Sequence, residues 1–461
     1  MNDRQKQICR NVDTHRSLIL DAERWIWAHP QTGYTEWQAH EYLAEKYKEL
    51  GYDVKLAGKV PGFGNIPGFW ADADTGKPGP TIAVFGELDA LDIANHPESV
   101  NGMTHCCGHN GQSAALLGIA AALKEPGALD GLCGKIRLIA VPAEEMIQLG
   151  FREELRKQGV ITYLGGKVEF MLRGILDGCD LAMMVHGTSA KDEAYDFSCV
   201  LGCNGCVAKT FTFTGRSAHA GGSPEKGINA QYAAMLGLQA VNDLRETFPD
   251  EDNIRFHPIM KGVNCAVNII PDEMKVESYV RGRTMTAIKR ENKKVNRALA
   301  GGALAIGAGV ELHDRPGYAP EIHDPEFMRL VERCCADLVG EDRLRFDYQA
   351  WDTGSSDFGD VTCVMPGVQF NAAGAVGTCH GIDFYMKDPD RLCLNSAKAQ
   401  LFVIDALLSE GGAAARRIVE NYKPEYPSIK AYLDAINEFI LDKDAVKYDE
   451  KGNATVDYQN A

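Results

Sequence analysis

The feature that most constrains the fold is a series of short apolar segments, each ending in a cluster of polar residues. The segments cover residues 81–85, 135–141 and 181–185, and stretches of helical character separate them. Short, nearly continuous apolar strands that alternate with helices are typical of a parallel sheet covered on both faces. The pattern therefore predicts an α/β fold with a mostly parallel sheet covered by helices.

The polar clusters that follow these strands read "GELDALD", "PAEEM" and "HGTS". In open α/β sheets, ligands bind beyond the carboxyl ends of the strands, where the connecting loops converge. We therefore expect the three clusters to lie close together and to contribute to one site.

A further cluster, "THCCGHNGQ" at residues 104–112, precedes a segment at 114–123 that is apolar on all sides and predicts a buried helix. Cys107 and His109 lie at the start of that helix, and Glu144, Glu145 and His186 follow the strands. A thiolate, two imidazoles and a carboxylate form a transition-metal ligand set, and a second carboxylate is a candidate general base. Hydrogen-bonded structural histidines and solvated glutamates are the alternatives.

Composition narrows the class of protein. A chain of 461 residues with 45% hydrophobic residues is too long for one ordinary domain, so two are expected. The net charge of −16, with no concentrated basic face, argues against nucleic-acid or membrane partners. The polar N-terminus lacks the apolar core of a signal peptide, and the 14 scattered cysteines do not form a disulfide framework. We therefore expect a cytoplasmic protein with small-molecule partners.

A second group of cysteines allows a different interpretation. Cys199, Cys203 and Cys206 have the CxxxCxxC spacing of radical enzymes that hold an iron–sulfur cluster. The residues that follow, 207–214, alternate between apolar and polar, which predicts a half-exposed strand rather than a cluster-binding loop. This context disfavours an iron–sulfur cluster.

The middle of the chain predicts an inserted domain at residues 199–315. Its elements follow the order βαββαβ, which is typical of a ferredoxin-like α+β sandwich. They are a strand at 207–214, a helix at 227–246, strands at 263–270 and 274–280, a helix at 290–306 and a last strand in "GVEL". Residues 1–198 and 316–425 would then form the main domain, and the polar residues 426–461 a surface extension.

The motifs "GELDALD", "HCCGHN", "PAEE", "VHG", "GRSAHAGGSPEKGINA", "VNIIPDE", "VRGRT" and "GTCHG" occur in the order found in peptidase family M20, the dinuclear-metal aminoacylase and carboxypeptidase family. The chain most resembles the amidohydrolase branch. Within it, Asn110, "GGKVEFMLRGILDGCD" and "GSSDFGDV" are similar to aminobenzoyl-glutamate hydrolase subunits, whereas auxin-conjugate and hippurate hydrolases usually have Asp at position 110.

The resemblance implies a metal site. Cys107 would bridge two divalent ions, manganese or zinc, and soft thiolate and imidazole ligands favour zinc. The implied ligands are Cys107, His109, Glu145, His186 and His380. His105 and Cys106 are not implied as ligands, Cys379 is assigned a structural role, and the roles of Glu87 and Asp89 stay open.

The resemblance also implies a mechanism. Two cations would polarise an amide carbonyl and activate a bridging water, and Glu144 would act as the general base. His219 of the inserted lid would stabilise the oxyanion in the neighbouring subunit's site, which implies a homodimer formed through that domain. Asn268 and Arg281 would bind the free carboxylate of the substrate.

The predicted function is hydrolysis of the amide bond of a small N-acyl or aminobenzoyl amino acid, or of a dipeptide with a free carboxylate. A metal-independent cysteine hydrolase that uses Cys107 with His109 is one alternative, but a one-residue spacing gives poor nucleophile–base geometry. A non-catalytic metal-binding protein with the same fold is the other, and the retained Glu144 argues against it.

Overall fold

The computed structural model describes residues 1–189, 194–262 and 266–459 of the chain. They form two compact units. The first consists of residues 1–202, 322–351 and 360–429, and the second of residues 203–321, 352–359 and 430–461. The second unit therefore interrupts the first along the chain, as an inserted domain does.

The large sheet confirms the α/β fold predicted from the apolar segments. Among the described residues it has ten strands, and the four central ones run parallel to one another. The strand order is Lys55–Leu56, Phe69–Asp74, Lys135–Val141, Thr81–Glu87, Leu181–Ser189, Gly367–Val376, Phe197–Cys203 and Glu321–Ile322. In addition, Leu344–Asp352 pairs with Phe197–Cys203, and Tyr385–Met386 pairs with Gly367–Val376. A separate pair, Leu91–Asp92 and Met103–Thr104, lies in a loop.

One helix of the first unit, His109–Leu123, is buried along its whole length. The helices of this unit are Asp3–Thr14, Arg16–Ala28, Trp37–Glu49, His109–Leu123, Leu149–Lys157, Gly166–Leu172, Pro325–Val339, Asn395–Leu408 and Ala413–Asn421. Every residue of His109–Leu123 is buried, as its apolar composition predicted. Its small residues allow close packing, since a Cβ at Gly118 would come within 2.7 Å of the Ile19 side chain. Two short helices, Phe358–Thr362 and Ile429–Ile436, span unit boundaries.

The second unit has the predicted ferredoxin-like topology. Its elements in chain order are Gly205–Thr214, Ala230–Asp243, Arg255–Phe256 with Ile259–Gly262, Glu273–Gly282, Met285–Ile306 and Gly309–Pro316. Glu273–Gly282 pairs antiparallel with Ile259–Gly262 on one side and with Gly205–Thr214 on the other. Gly309–Pro316 pairs antiparallel with the free side of Gly205–Thr214. This strand order is that of the βαββαβ sandwich.

One predicted strand of the insert lies elsewhere. Of the strand expected at residues 263–270, residues 263–265 fall outside the described part of the chain. The remainder forms a turn, and the strand is Ile259–Gly262 instead. The backbone of the turn pairs with another loop, since the N–H of Ala220 donates to Asn268 and the N–H of Ile270 donates to Ala218, both at 2.9 Å. These loop contacts replace the sheet ladder that the apolar pattern predicted.

The C-terminal residues, predicted to form a surface extension, add two strands to the second sheet. Leu441–Tyr448 pairs antiparallel with Gly309–Pro316, and Ala454–Val456 pairs with Leu441–Tyr448. Leu441–Tyr448 lies next to the short edge strand and buries few side chains, so its sequence looks polar. It pairs with residues 310–314 of Gly309–Pro316 and so covers most of that strand's outer side.

No single helix within the described ranges is long and apolar enough to cross a membrane. One pair of helices, Asp390–Leu408 with Glu410–Asn421, meets the length and composition criteria only when combined, and the two bend by 64°. Leu401 and Val403 of this pair lie in the hydrophobic core.

Candidate metal centre and active site

The site residues predicted in the first unit meet at the carboxyl edge of the parallel strands. Glu87 ends one central strand, Glu144 and Glu145 follow the next, His186 lies near the end of the third, and His380 follows the fourth. Because neighbouring parallel strands end at the same edge, side chains far apart in sequence come together there.

Cys107 and His109 enter the site from the start of helix His109–Leu123. Gly108, between them, has a φ of 84°, a left-handed conformation that glycine adopts without strain. The turn brings both side chains to one place, because donor atoms of Cys107, His109 and His186 all lie within 4.8 Å of one another.

The thiol of Cys107 belongs to two groups of potential metal donors. One contains His109 and His186, and Cys107 Sγ lies 3.2 Å from His186 Nε2. In the other, the donor atoms of Cys107, Cys379 and His380 lie within 4.8 Å of one another. A thiolate common to two donor groups has the placement expected of a ligand that bridges two ions.

Glu144 and Glu145 face different donors. Glu145 Oε1 lies 2.9 Å from His380 Nε2, whereas Glu144 Oε2 lies 4.0 Å from His109 Nε2. Burial raises the pKa of Glu145, but the hydrogen bond and charge of His380, together with the charge of His109, outweigh burial and bring the pKa to about 2. Burial lowers the pKa of His380, yet hydrogen bonds with Cys379 and Glu145 raise it to about 10. Without a bound ion, Glu145 and His380 therefore form a carboxylate–imidazolium pair, and a bound ion would take the place of the imidazolium proton.

The donor set fits a divalent ion. Among the described residues, His109 Nε2 and Glu87 Oε2 are buried and have no hydrogen-bond partner, although they lie 3.2 Å apart. Buried polar atoms in proteins are normally hydrogen-bonded, so an ion bound by His109 would satisfy its Nε2. Thiolate, imidazole and carboxylate are also the ligand types that zinc prefers.

Asp89 orients the ring of His109. Asp89 Oδ1 lies 3.2 Å from His109 Nδ1, and the backbone oxygen of Asp89 lies 2.9 Å from the same nitrogen. Asp89 Oδ2 accepts a hydrogen bond from the N–H of Glu145 at 2.7 Å. These contacts place the proton on Nδ1 and direct Nε2 into the site, as carboxylates do for metal-binding histidines.

Lys167 lies at the site, although the sequence interpretation did not single it out. Its Nζ contacts Glu87 Oε1, and the two side chains are 0% and 1% exposed. Burial raises the pKa of Glu87, but the charges of Lys167, His109 and His186 together outweigh burial and lower the pKa overall. The sequence feature that could have identified Lys167 is its position in a largely apolar helical segment, Gly166–Leu172. A lysine there needs a buried acidic partner.

Buried polar groups hold the turn that carries the two glutamates. Ala143 has a φ of 59°, a left-handed conformation rare for residues with a Cβ. Glu36 Oε1 accepts a hydrogen bond from the N–H of Ala143 at 2.7 Å, and Arg152 donates to the carbonyl oxygen of Glu145. Strained turns of this kind are typical of functional sites, where surrounding contacts impose the conformation.

Three predicted site residues lie in the second unit. His219 and Asn268 are both exposed, and their loops are joined by the hydrogen bond from Ala220 N–H to the Asn268 carbonyl. Arg281 lies on strand Glu273–Gly282, and its Nη1 donates to Ser355 Oγ at 3.3 Å. Arg281 Nε is buried without a hydrogen-bond partner in the described part of the chain.

The cysteines considered for an iron–sulfur cluster are buried strand residues. Cys199 Sγ donates to the carbonyl oxygen of Gln369 at 3.3 Å, and Cys203 Sγ donates to Glu321 Oε2 at 3.3 Å. Within the described ranges, no group of three metal donors includes Cys199, Cys203 or Cys206. These thiols are therefore hydrogen-bonded core residues.

Comparison with known proteins decides the family. Residues 83–399, more than half of the 461 residues, match the sequence pattern of Peptidase family M20/M25/M40. The chain belongs to this family. Membership in the M20 family makes it a hydrolase of amide or peptide C–N bonds.

Two M20 relatives and one crystal structure illustrate the similarity. Indole-3-acetyl-aspartic acid hydrolase of Enterobacter agglomerans is 27% identical over 406 residues, covering 77% of this chain and 86% of the relative. A p-aminobenzoyl-glutamate hydrolase subunit of Escherichia coli (strain K12) is 28% identical over 344 residues, covering 71% and 72%. A dinuclear metal-binding M20 peptidase of Bacillus subtilis superposes with a TM-score of 0.61 at 20% identity, covering 85% and 98%. The last comparison shows that the fold is shared.

Asn110 has a structural partner in this M20 chain. Its Nδ2 donates a hydrogen bond to Glu23 Oε1 at 2.8 Å, and both side chains are buried. An aspartate at position 110 would face the Glu23 carboxyl group and could not donate this bond unless one of the two acids were protonated. An asparagine at position 110 is therefore compatible with the buried Glu23 that contacts the start of helix His109–Leu123.

We expect Glu23→Gln to stabilise the protein at pH 8 but not at pH 4. Burial raises the pKa of Glu23 from 4.5 to about 7. The folded state therefore binds this proton more tightly than the unfolded chain, and stability falls as the pH rises from about 4.5 to about 7. The uncharged glutamine removes this loss, which is up to about 3 kcal/mol. Urea unfolding from pH 4 to pH 8 measures the difference.

Glu41→Gln is the matched control for Glu23→Gln, because Glu41 is exposed on helix Trp37–Glu49. Its stability should follow the wild-type protein at every pH. A Glu23→Gln effect that stays constant between pH 4 and pH 8 would show that folding does not shift the pKa of Glu23.

Proposed function

We propose that this M20 hydrolase is a metal-dependent amidohydrolase. It cleaves the amide bond of a small N-acyl or aminobenzoyl amino acid, or of a dipeptide, with a free carboxylate. The observation that carries the proposal is the thiol of Cys107, which is shared by two donor groups next to Glu144. The two relatives support the substrate class, since their names specify an indole-3-acetyl and an aminobenzoyl conjugate of an acidic amino acid.

Two divalent ions, zinc or manganese, are the proposed cofactors. The ligands would be Cys107, His109, Glu145, His186 and His380, which meet at one edge of the sheet. When bound, the ions supply polarisation of the scissile carbonyl and activation of a water molecule. The soft thiolate and imidazole donors favour zinc.

Glu144 is the proposed general base. It lies within 4.8 Å of the donor atoms of Glu87 and His109, whereas Glu145 pairs with His380. Glu144 would take a proton from the attacking water and deliver it to the leaving amine nitrogen.

His219 is the proposed oxyanion donor. Its Nδ1 accepts hydrogen bonds from the N–H groups of Gly221 at 3.1 Å and Gly222 at 2.9 Å. In the neutral ring these bonds leave the proton on Nε2, so the imidazole presents a donor. A donor of this kind stabilises negative charge on the carbonyl oxygen in the transition state.

We place His219 in the site of a neighbouring subunit, in a homodimer formed through the second unit. Helix Ala230–Asp243 supports this arrangement, because it leaves Tyr232, Met235 and Leu236 60%, 50% and 41% exposed. Neighbouring exposed apolar side chains of this kind mark protein interfaces.

The free thiols of the described cysteines are consistent with the cytoplasm as the proposed location.

Asn268 and Arg281 are the proposed ligands of the substrate carboxylate. Asn268 is exposed and has a side-chain amide that can donate two hydrogen bonds. The guanidinium of Arg281 bonds Ser355 through Nη1 only, so its Nε lacks a partner among the described residues. An arginine with unused donors can bind a carboxylate through two parallel hydrogen bonds.

A metal-independent cysteine hydrolase is the second candidate. It is favoured by the 3.2 Å distance between Cys107 Sγ and His186 Nε2, a nucleophile–base spacing. Against it, the hydrogen bond with Cys379 and burial raise the pKa of Cys107 well above that of a free thiol. A raised pKa opposes formation of the nucleophilic thiolate.

We expect chelation to abolish hydrolysis and added zinc or manganese to restore it, with full recovery at about two ions per subunit. The assay follows amine release from aminobenzoyl-glutamate, hippurate and acetylated amino acids, together with metal content by mass spectrometry. Hydrolysis that survives chelation would support the cysteine hydrolase. Two bound ions without cleavage of any substrate would support a non-catalytic metal-binding protein.

A further inference from the structure

Cys379 lies at the candidate metal centre, yet the proposed ligand set does not include it. Its Sγ, the Sγ of Cys107 and a ring nitrogen of His380 all lie within 4.8 Å of one another. Cys379 directly precedes His380 in "GTCHG", in the loop after strand Gly367–Val376. Two thiols and an imidazole at this separation form a donor group in their own right.

The loop holds Cys379 in place from both sides. The N–H of Thr378 donates to Asp383 Oδ1 at 3.1 Å, and the N–H of His380 donates to the carbonyl oxygen of Cys106 at 3.0 Å. The second bond ties the loop to the residue next to Cys107. The proximity of the two thiols therefore follows from the backbone on either side.

We propose that Cys379 is a metal ligand, so that one ion is bound by the thiolates of Cys107 and Cys379 together with His380 and Glu145. This assignment rests on the proposed function, because it requires the ion. Two sulfur ligands of one tetrahedral zinc ion, each about 2.3 Å from the metal, are about 3.8 Å apart. The donor group in the structure accommodates that separation. On binding, Cys379 coordinates as the thiolate and the imidazolium of His380 releases one proton to solvent, so that the sulfur and the freed ring nitrogen each donate an electron pair to the ion.

The assignment gives the two ions different roles, one structural and one catalytic. Cys107, Cys379, His380 and Glu145 complete a tetrahedral set, whereas Cys107, His109 and His186 supply only three protein ligands. A closed set is typical of structural zinc, and a set of three leaves a position for water or substrate. Glu144 lies 4.0 Å from His109, on the side of the open set, as a base acting there requires. Replacing a soft thiolate should also weaken the preference for zinc over manganese.

The test uses cobalt(II)-loaded full-length protein and measures thiolate-to-cobalt charge-transfer absorption in the near ultraviolet. We expect Cys379→Ala to lower the absorption by about one third, because one of three cobalt–thiolate bonds is lost while Cys107 keeps one bond to each ion. In a competition experiment, the ratio of bound zinc to bound manganese should fall at least about tenfold. Cys9→Ala removes a half-buried cysteine outside the site and should leave both readouts unchanged.

Cys379 is exposed, so the alanine variant leaves no internal cavity, and Cys379→Ser keeps the size of the side chain with a harder donor. Serine should give the same loss of charge-transfer absorption as alanine. Wild-type absorption and wild-type metal ratio in both variants would overturn the assignment of Cys379 alone. A wild-type protein that binds no cobalt would overturn the metal-dependent function as well.

Discussion

Glu144→Gln should lower turnover by about a hundredfold to ten-thousandfold while the protein keeps its metal. Glutamine has nearly the same size as glutamate but cannot accept a proton from water or pass one to the leaving amine. Glu145, not Glu144, pairs with His380, so the donor groups that share Cys107 stay intact in the variant. The measurement is kcat with the best substrate of the panel, together with metal content of the same sample.

Glu154→Gln is the matched control for this experiment, because Glu154 is an exposed residue of helix Leu149–Lys157. It should retain wild-type turnover and metal. Loss of metal along with activity in Glu144→Gln would assign Glu144 to the ligand set. Unchanged turnover would exclude it as the base.

Lys167→Met should destabilise the metal-free protein by about 3–5 kcal/mol. Lys167 and Glu87 are a fully buried ion pair, and removing the lysine leaves a buried carboxylate without its counter-charge. The carboxylate must then bind a proton or remain charged in an apolar environment, and both raise the free energy of the folded state. Urea unfolding in the presence of a chelator measures the effect.

The double variant Lys167→Met with Glu87→Leu separates charge from packing. It removes both members of the pair, and apolar replacements of a buried pair are often neutral, so most of the lost stability should return. Lys157→Met, at an exposed position of another helix, should stay within about 0.5 kcal/mol of the wild type. A double variant as unstable as Lys167→Met would show that packing, not charge, accounts for the loss.

The strands of the parallel sheet were predictable because their signal is local. Residues 81–85, 135–141 and 181–185 fall within Thr81–Glu87, Lys135–Val141 and Leu181–Ser189. A central strand buries both faces, so nearly every side chain in it is apolar whatever its neighbours are. The same holds for helix His109–Leu123, which is buried on all sides.

The positions of two strands in the second unit could not be predicted in this way. Hydrogen bonding to distant segments determines where these strands form, and their own composition does not. Leu441–Tyr448 is polar, but it covers the backbone of Gly309–Pro316. The apolar residues after position 265 bond instead with the loop around His219. In both cases the deciding hydrogen bonds join segments that are far apart in the sequence.

At the site, the sequence by itself determined which donor types are present and that they follow strand ends or begin a buried helix. Only the tertiary structure decided that Cys107 is shared by two donor groups, that Lys167 neutralises Glu87 and that Cys379 lies beside Cys107 and His380. The physical reason is that ligand types are a property of single residues. The distances between them depend on the order of the strands and on the loops that connect strands distant in the chain.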